Sequence, residues 1–322
     1  MIADEAKSLK WIQEEYDSMD CELKKQAVAI EPIGNDICRI YLTSLTKGLS
    51  AEVLNQMFVQ SANNKKGTVE GLERKIEDFL EACRFCQLPF SIEEAKSFFK
   101  DWKEKGYPAI SHSDIYRETY HPAYRVIENS YARVYKAVER TEQSLKAFVS
   151  CSDSPFVIAI DGMSGSGKST LGELLHMNYP ESNLLHMDDY FLQPHQRTED
   201  RLSEPGGNID YGRFQTEVLD NLTNKTGLTY KKYDCCTQKL GDSIHIPWKP
   251  LVIIEGSYSQ HPYFKDSYDL RIFCEITSKE QEERILKRNG EYMLQRFKNE
   301  WIPKENQYFE SFLIKRGADM IL

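Results

Sequence analysis

The stretch Phe156-Val-Ile-Ala-Ile-Asp-Gly162-Met-Ser-Gly-Ser-Gly167-Lys168-Ser169-Thr170 is the most informative part of this 322-residue sequence. Its first five residues form a short, wholly apolar run, as expected of a strand buried on both faces. The next residues match the pattern GxxxxGK[ST], and a helical pattern then covers 169–177. Glycines let a backbone wrap closely around an anion, and consecutive N–H groups at a helix start favour negative charge. The stretch therefore predicts a phosphate-binding loop between a strand and a helix.

This loop predicts a nucleotide site with a divalent metal. The side chain of Lys168 would reach the β- and γ-phosphates and assist catalysis, and the hydroxyl of Ser169 would coordinate Mg²⁺. We therefore expect ATP and Mg²⁺ as cofactors. The residues predicted to bind the nucleotide are Gly162, Ser164, Gly165, Ser166, Gly167, Lys168, Ser169 and Thr170.

Further short apolar runs follow the loop and alternate with helical patterns. We predict strands over 184–187, 251–254, 270–275 and 318–322. Strands that alternate with helices are typical of a parallel sheet with helices on both faces, here the P-loop NTPase type of α/β fold. The small, polar stretch 151–155 ends in proline and is typical of a linker, so this domain is predicted to span 151–322.

Two of these predicted strands run into acidic residues. Asp188 and Asp189 follow 184–187, and Glu255 follows 251–254. Ligands of a parallel sheet bind outside the carboxyl ends of its strands, so these acids are expected to face the phosphate loop. One carboxylate could accept a proton from an attacking hydroxyl while another holds Mg²⁺. His186 is expected to be a hydrogen-bonded core residue rather than a metal ligand.

A cationic face is predicted on a helix near the C-terminus. Ser278 is placed to cap a helix that runs to about Arg288, on which Arg284, Lys287 and Arg288 share one side. This side could close over a triphosphate and stabilise charge on the transferring group. The alternative is a solvated helix end that complements the helix dipole.

Residues 1–150 are predicted to form a mainly α-helical domain of unknown role. Apolar spacing predicts helices over 51–61, 69–86, 92–103 and, interrupted by Pro122, about 113–149. Ser50 and Ser91 stand at N-cap positions, and Glu94 completes a capping box with Ser91. The stretch 112–125 is rich in tyrosine, histidine and arginine. It is either a second site or a helix that packs its tyrosines on the other domain.

Composition excludes several classes of partner. The net charge is −9 and neither half of the chain is a basic block, so nucleic acid is not expected as a partner. No apolar run reaches the roughly 20 residues that span a bilayer, and the first residues do not resemble a signal peptide. Eight cysteines without a secretion signal indicate reduced thiols, and hence a cytoplasmic protein. The sequence is compatible with a homo-oligomer.

Three further motifs indicate a protein family as well as a fold. These are His186-Met-Asp188-Asp189-Tyr190-Phe191, then Asn208-Ile-Asp210-Tyr, and Ile254-Glu255-Gly256. Together with the phosphate loop they resemble the uridine kinase, nicotinamide riboside kinase and phosphoribulokinase group of P-loop kinases, over about residues 155–322. Bacterial uridine kinase-like chains are especially similar, through Gln196-Arg-Thr198, Glu204-Pro-Gly-Gly-Asn208 and Trp301-Ile-Pro.

The resemblance implies a role for each matching residue. Asp188 corresponds to the catalytic base and metal-linked carboxylate of this group, and Glu255 to an acid that helps hold Mg²⁺. Asp210 corresponds to an acid that binds ribose hydroxyls of the acceptor. Arg284 and Arg288 fall in the region of a mobile lid that closes over ATP.

The motifs leave the identity of the acceptor open. The resemblance favours the 5′-hydroxyl of a nucleoside such as uridine or cytidine, a small-molecule acceptor. Tyr190 and Phe191 could line its pocket or pack in the core. Arg197 and Arg213, with Arg201, could bind a second anionic group, which would favour a sugar phosphate. Two further hypotheses are a pantothenate-like acceptor and a regulator that binds ATP without turnover.

Overall fold

The computed structural model describes residues 5–25, 28–34, 36–64, 67–108, 113, 115, 119, 123–148, 154–264 and 266–322. The chain groups into two compact units. The first comprises 1–43 and 54–129, and the second comprises 44–53 and 130–322. The segment 130–148, which precedes the predicted linker, therefore groups with the phosphate loop. The domain boundary at residue 151 stays a prediction.

The first unit combines helices with a small antiparallel sheet. Its strands β1 (Ile30–Gly34), β2 (Ile37–Tyr41) and β3 (Tyr124–Glu128) pair in that order. Alternate residues of β2 are buried, as are Ile127 of β3 and Met57. Helices cover Glu5–Ser18, Cys21–Lys24, Val69–Ala82 and Ile92–Glu104, with most of Ala51–Asn64. The apolar spacing of the sequence did not predict the three strands.

The capping signals at Ser50 and Ser91 predict two helix starts correctly, whereas one long predicted helix is wrong. Ser91 and Glu94 form the predicted capping box, and the Ser50 hydroxyl accepts from the amide of Val53 at 3.2 Å. The helix predicted over 113–149 is wrong at 124–128, where β3 pairs with β2. A helix does cover Ala132–Ala147. The helical pattern failed at β3 because cross-strand pairing and burial of Ile127 outweigh local propensity. His112, Asp114, Tyr116, Arg117, Tyr120 and His121 lie outside the described residues.

The second unit is built on a five-stranded parallel sheet, which confirms the predicted fold class. Its strands are β4 (Phe156–Gly162), β5 (Ser182–His186), β8 (Leu251–Glu255), β9 (Leu270–Cys274) and β10 (Met320–Ile321). They lie in the order β10-β9-β4-β8-β5. A separate antiparallel hairpin comprises β6 (Leu228–Asp234) and β7 (Lys239–Ile246), and the sequence pattern did not predict it.

Burial explains the apolar character of the central strands. Every residue of β4 and β8 is buried, so both faces of the sheet are covered. Val157, Ala159, Val252 and Ile254 pack on one face with aromatic residues such as Phe214. The helices of this unit cover Ala132–Ala147, Lys168–Asn178, Glu199–Ser203, Tyr211–Glu217, Ser278–Arg296, Ile302–Ser311 and Ile314–Gly317. No helix of the described part of the chain is long and apolar enough to cross a membrane.

Candidate active site

The strand order brings the phosphate loop and the predicted acids to one edge of the sheet. β8 lies between β4 and β5 and pairs with both in parallel. In register, Glu255 of β8 is opposite Ile160 of β4 and His186 of β5. The loop that follows β4 and the acids that follow β5 therefore converge around Glu255. The strand-end acids of the sequence predict this convergence.

The phosphate loop adopts a conformation that only its glycines allow. Gly165 and Gly167 have φ angles of +74° and +89°. The side chain of Lys168 is buried, and its Nζ donates to the carbonyls of Gly162 at 2.7 Å and Met163 at 3.1 Å. The buried hydroxyl of Ser166 has no hydrogen-bond partner among the described residues. The loop thus combines a cation, a spare hydroxyl and backbone donors in one cradle.

Two helices far along the chain hold this loop in place. Glu305, on the helix Ile302–Ser311, is buried and accepts from the Ser164 amide at 2.9 Å and the Ser164 hydroxyl at 2.6 Å. Gln281, on the helix Ser278–Arg296, donates to the Ser164 carbonyl at 2.8 Å. Arg284, one turn further on, lies 3.3 Å from the Gly165 carbonyl. Sequence reasoning found Arg284 alone, although the i, i+3 spacing to Gln281 could have indicated both.

A buried carboxyl group fixes the end of β4. Asp161 accepts from the amides of Gly162, Tyr258 and Gln260 and from the hydroxyl of Tyr308. Burial raises the pKa of Asp161 to about 6, against the lowering effect of these hydrogen bonds and of Lys168. Since four donors meet one side chain, the phosphate loop begins from a rigid point.

A chain of hydrogen bonds joins the loop to the end of β8. The Ser169 hydroxyl donates to Glu255 at 3.1 Å, and the other oxygen of Glu255 lies 2.5 Å from Nδ1 of His186. The hydrogen bond to Glu255 raises the pKa of His186. His186 is therefore half-buried and hydrogen-bonded, in line with its predicted structural role.

Asp188 differs from its neighbour in its surroundings. Its side chain is exposed to solvent, yet enough protein surrounds the carboxyl group to desolvate it. Desolvation there, followed by the negative charge of Glu255, raises the pKa of Asp188, while Lys168 acts in the opposite direction. Asp189 is less exposed and lies 3.6 Å from the ammonium group of Lys232. Burial raises the pKa of Asp189 as well, so the two acids differ mainly in accessibility, and Asp188 is the more exposed.

A cavity of about 610 Å³ lies beside this edge of the sheet. Asp210 lines it and is held by two bonds: one oxygen caps the helix Tyr211–Glu217 and the other accepts from Gln196 at 2.7 Å. The Asp210 amide in turn donates to the carbonyl of Tyr190 at 2.7 Å, which ties the cavity to the Asp188 turn. The residues that line the cavity are Leu192, Gln196, Thr198, Arg201, Glu204, Asp210, Tyr211, Gly212, His261 and Tyr263.

One wall of the cavity is aromatic. The rings of Tyr211 and His261 stack at 4.2 Å between centroids, and Tyr263 stacks on Tyr211 at 5.8 Å. Burial, with help from the positive charge of Arg201, lowers the pKa of His261 to about 4. The imidazole is therefore neutral at pH 7 and offers a flat, uncharged surface. Sequence reasoning missed His261 and Tyr211, because neither lies in a phosphate or metal motif.

The three arginines predicted as anion ligands are engaged within the protein. Arg197 donates to the Leu192 carbonyl and the Tyr233 hydroxyl. Arg201 pairs with Glu204 and donates to the Ile209 carbonyl. The remaining arginine, Arg213, bonds Glu217 and the backbone carbonyls of Asp189 and Lys231. Each guanidinium thus already has oxygen partners.

Other predicted site residues lie apart from the cavity. Tyr190 is fully buried and stacks on Tyr230, so it packs in the core rather than lining a pocket. Phe191 is half-buried and forms a bridge with Ile209. Arg288 is exposed and bonds its neighbour Asn289, whereas Arg284 of the same cationic face contacts the loop. The cap predicted at Ser278 is wrong by one residue, because Thr277 forms the capping box with Glu280.

The residues at this edge fit a nucleotide with Mg²⁺. The glycine cradle, Lys168 and the unpartnered hydroxyl of Ser166 suit a polyphosphate. Magnesium in phosphoryl-transfer sites takes one or two carboxylates and a loop hydroxyl, and phosphate oxygens complete its octahedron. Ser169, Glu255 and Asp188 supply such a set of protein oxygens.

A strand–P-loop–helix unit with carboxylates at neighbouring strand ends defines the class of P-loop phosphotransferases. No family model matches the chain. A uridine kinase of Clostridium perfringens is 26% identical over 188 residues, which cover 52% of this chain and 86% of that protein. A uridine-cytidine kinase C of Dictyostelium discoideum is 25% identical over 120 residues, 37% of this chain and 26% of that protein.

Among solved structures, that of "a Possible Uridine Kinase" from Bacillus stearothermophilus matches with a TM-score of 0.43 and 20% identity. It covers 56% of this chain and 94% of that one. The sequence comparisons confirm the resemblance to the uridine kinase-like group of P-loop kinases. They support the activity of a small-molecule kinase, without specifying the acceptor.

Proposed function

We propose that this protein transfers the γ-phosphoryl group of ATP to a hydroxyl of a small, uncharged acceptor, a nucleoside of the uridine or cytidine type at its 5′ position. The observation that carries the proposal is the convergence of the P-loop, Glu255 and Asp188 at one sheet edge, beside a cavity that contains Asp210. This arrangement supports a donor site and an acceptor site that meet at Asp188.

Catalysis in this proposal rests on positioning and electrostatics. The acceptor hydroxyl oxygen attacks the γ-phosphorus, the bond from γ-phosphorus to the bridging oxygen breaks, and ADP leaves. The proton of the hydroxyl passes to the carboxylate of Asp188. Lys168 and Arg284 stabilise negative charge on the transferring group and the leaving oxygen.

Bound Mg²⁺ would neutralise phosphate charge and orient the β- and γ-phosphates. The residues of this chain that would hold it are Ser169, Glu255 and Asp188. Glu255 is the organising member, since it accepts from Ser169 and bonds His186 through its two oxygens. His186 acts here as a positioning residue that fixes the orientation of the carboxylate.

Charge in the cavity argues for an uncharged acceptor. Arg201 lines the cavity, but the carboxylates of Glu204 and Asp210 face the same space. Because Arg197, Arg201 and Arg213 all have internal partners, a phosphate or carboxylate on the acceptor would have to displace an existing bond. This supports a nucleoside over a sugar phosphate or a pantothenate-like acid.

Shape and hydrogen bonding argue for a planar ring joined to a polyol. The aromatic wall suits the face of a base, because the exposed ring of Tyr263 stacks on the buried ring of Tyr211. Each carboxylate oxygen accepts about two hydrogen bonds, and each oxygen of Asp210 uses one within the protein. Asp210 therefore keeps acceptor capacity for the hydroxyls of a ribose.

The proposal is tested by acceptor-dependent release of ADP. The full chain is incubated with ATP, Mg²⁺ and one acceptor at a time, with a control that lacks acceptor. The acceptors are uridine, cytidine, purine nucleosides, nicotinamide riboside, pantothenate and pentose phosphates. Release that depends on a nucleoside supports the proposal. Release that depends only on a phosphorylated or carboxylated acceptor would contradict the acceptor assignment, and no release with any acceptor would favour a non-catalytic ATP-binding regulator.

A further inference from the structure

A guanidinium from outside the kinase-like region lies against the phosphate loop. Arg133 is the second residue of the helix Ala132–Ala147, whereas the family resemblance begins at about residue 155. A Cβ atom added to Gly167 would lie 2.1 Å from Nη2 of Arg133, so the guanidinium contacts the last glycine of the loop directly. No motif in the sequence indicated this residue.

The surroundings of Arg133 are electrostatically unfavourable for a cation. Among the described residues, no carboxylate forms a salt bridge with Arg133, and no hydrogen bond to it is found. The side chain is half-buried, and its burial lowers the pKa of Arg133. Cys274 and, to a smaller extent, Tyr131 oppose this lowering of the pKa, and the positive charge of Arg284 adds to it. Arg133 also stands in the first turn of its helix, where the dipole is positive and no acidic residue compensates.

Three unfavourable effects on one cation indicate that its position serves an anionic ligand. Burial, a like charge and a helix N-terminus would all be offset by negative charge between Arg133 and Arg284. The loop between these arginines contributes Lys168 and backbone N–H groups of the kind that bind phosphates. Arg284 reaches the Gly165 carbonyl and Arg133 reaches Gly167, so the two guanidinium groups bracket the loop.

We propose that Arg133 is a ligand of the polyphosphate of the bound nucleotide, supplied by the helix that precedes the kinase-like region. The inference rests on the nucleotide site of the proposed function and adds a residue to it. It also gives part of residues 1–150 a role: the helix Ala132–Ala147 completes the nucleotide site rather than joining two domains. Residues 155–322 alone would then lack one phosphate contact.

The test is equilibrium binding of ADP and of pyrophosphate to the full chain, measured by calorimetry without an acceptor. The variants are Arg133→Gln, Arg133→Lys and, as a matched control, Lys136→Gln, which removes a charge from an exposed position of the same helix. Arg133→Gln should weaken both ligands about 10-fold or more, because hydrogen bonds to charged groups have about that effect. Arg133→Lys should weaken them less, and Lys136→Gln by less than about twofold.

Thermal unfolding without ligand separates binding from a structural role. Arg133→Gln removes an uncompensated cation, so its melting temperature should equal or exceed that of the wild type. A lower melting temperature together with weaker binding would overturn the proposal in favour of a packing role. Unchanged binding of both ligands would overturn it as well, and so would weaker binding of ADP alone, which would place the contact on the nucleoside part.

The binding test of Arg133 does not depend on whether the protein turns over a substrate. A wild type that binds ADP and pyrophosphate through Arg133 but releases no ADP with any acceptor would refute the proposed function and leave this inference standing. A wild type that binds neither ligand would overturn both.

Discussion

Asp188→Asn should remove turnover while nucleotide binding survives. The substitution keeps the size of the side chain and deletes the proton acceptor. General-base catalysis contributes roughly 10²- to 10⁴-fold, or about 3–5 kcal/mol of activation free energy. We expect a loss in the upper part of this range, because desolvation and Glu255 both raise the basicity of the Asp188 carboxylate.

Nucleotide affinity should respond differently to the same substitution. Asp188 is a negative charge beside Glu255 at the site expected to take a polyphosphate. In the absence of Mg²⁺, its removal should leave the Kd for ADP unchanged or lower. The assay therefore pairs steady-state kcat with ADP binding by calorimetry in metal-free buffer.

Asp189→Asn provides the matched control. Asp189 has the same chemistry one residue along the chain, but it is less exposed and faces Lys232. Its substitution should change kcat by no more than about threefold. The reasoning is refuted if Asp188→Asn keeps kcat within about threefold of the wild type, or if Asp189→Asn has the larger effect.

Three further predictions address the acceptor, the metal and pH. Asp210→Asn keeps the helix cap but loses the negative charge that accepts hydrogen bonds. The KM for the phosphoryl acceptor should therefore rise about 10-fold, while the KM for ATP should not change. Glu255→Gln should raise the Mg²⁺ concentration for half-maximal rate about 10-fold or more, measured by Mg²⁺ titration. The pKa of His261 is about 4 in the folded protein and 6.5 without the fold, so below pH 6.5 the unfolded chain takes up the proton and stability falls. Wild type should therefore lose up to about 2 kcal/mol more of unfolding free energy between about pH 7 and 4.5 than His261→Gln, measured by urea unfolding.

Each of these three predictions has an outcome that would contradict it. A KM change for ATP equal to that for the acceptor would remove Asp210 from the acceptor site. An unchanged Mg²⁺ requirement in Glu255→Gln would separate this residue from the metal. Parallel pH dependence of unfolding in wild type and His261→Gln would show that the imidazole of His261 is not held neutral in the folded protein.

Part of the site could be predicted from the sequence because its chemistry is local. A P-loop needs contiguous glycines, a lysine and a hydroxyl, and Gly162 to Ser169 supplies them in order. The acids at 188 and 255 could be paired with the loop because parallel strands present their carboxyl ends at one edge. Only the strand order, with β8 between β4 and β5, decided that Glu255 is the residue that joins them.

Residues that act across long sequence separations were not predictable. Glu305 holds the amide of Ser164, 141 positions away, and Arg133 reaches Gly167 from the helix before the predicted linker. Neither belongs to a periodic or motif pattern, since each depends on how a helix packs beside the loop. For the same reason, the sequence did not reveal that Arg197, Arg201 and Arg213 bond oxygens of the protein itself.

The sequence by itself determined the phosphate loop, the α/β class and the two carboxylates at strand ends, because short-range chemistry and strand patterning encode them. Tertiary structure decided which side chains are free to meet a ligand. It buried Tyr190, paired the predicted anion-binding arginines with oxygens of the protein and placed Arg133 beside the loop. Burial and pairing depend on contacts between distant segments, and a linear pattern carries no record of those contacts.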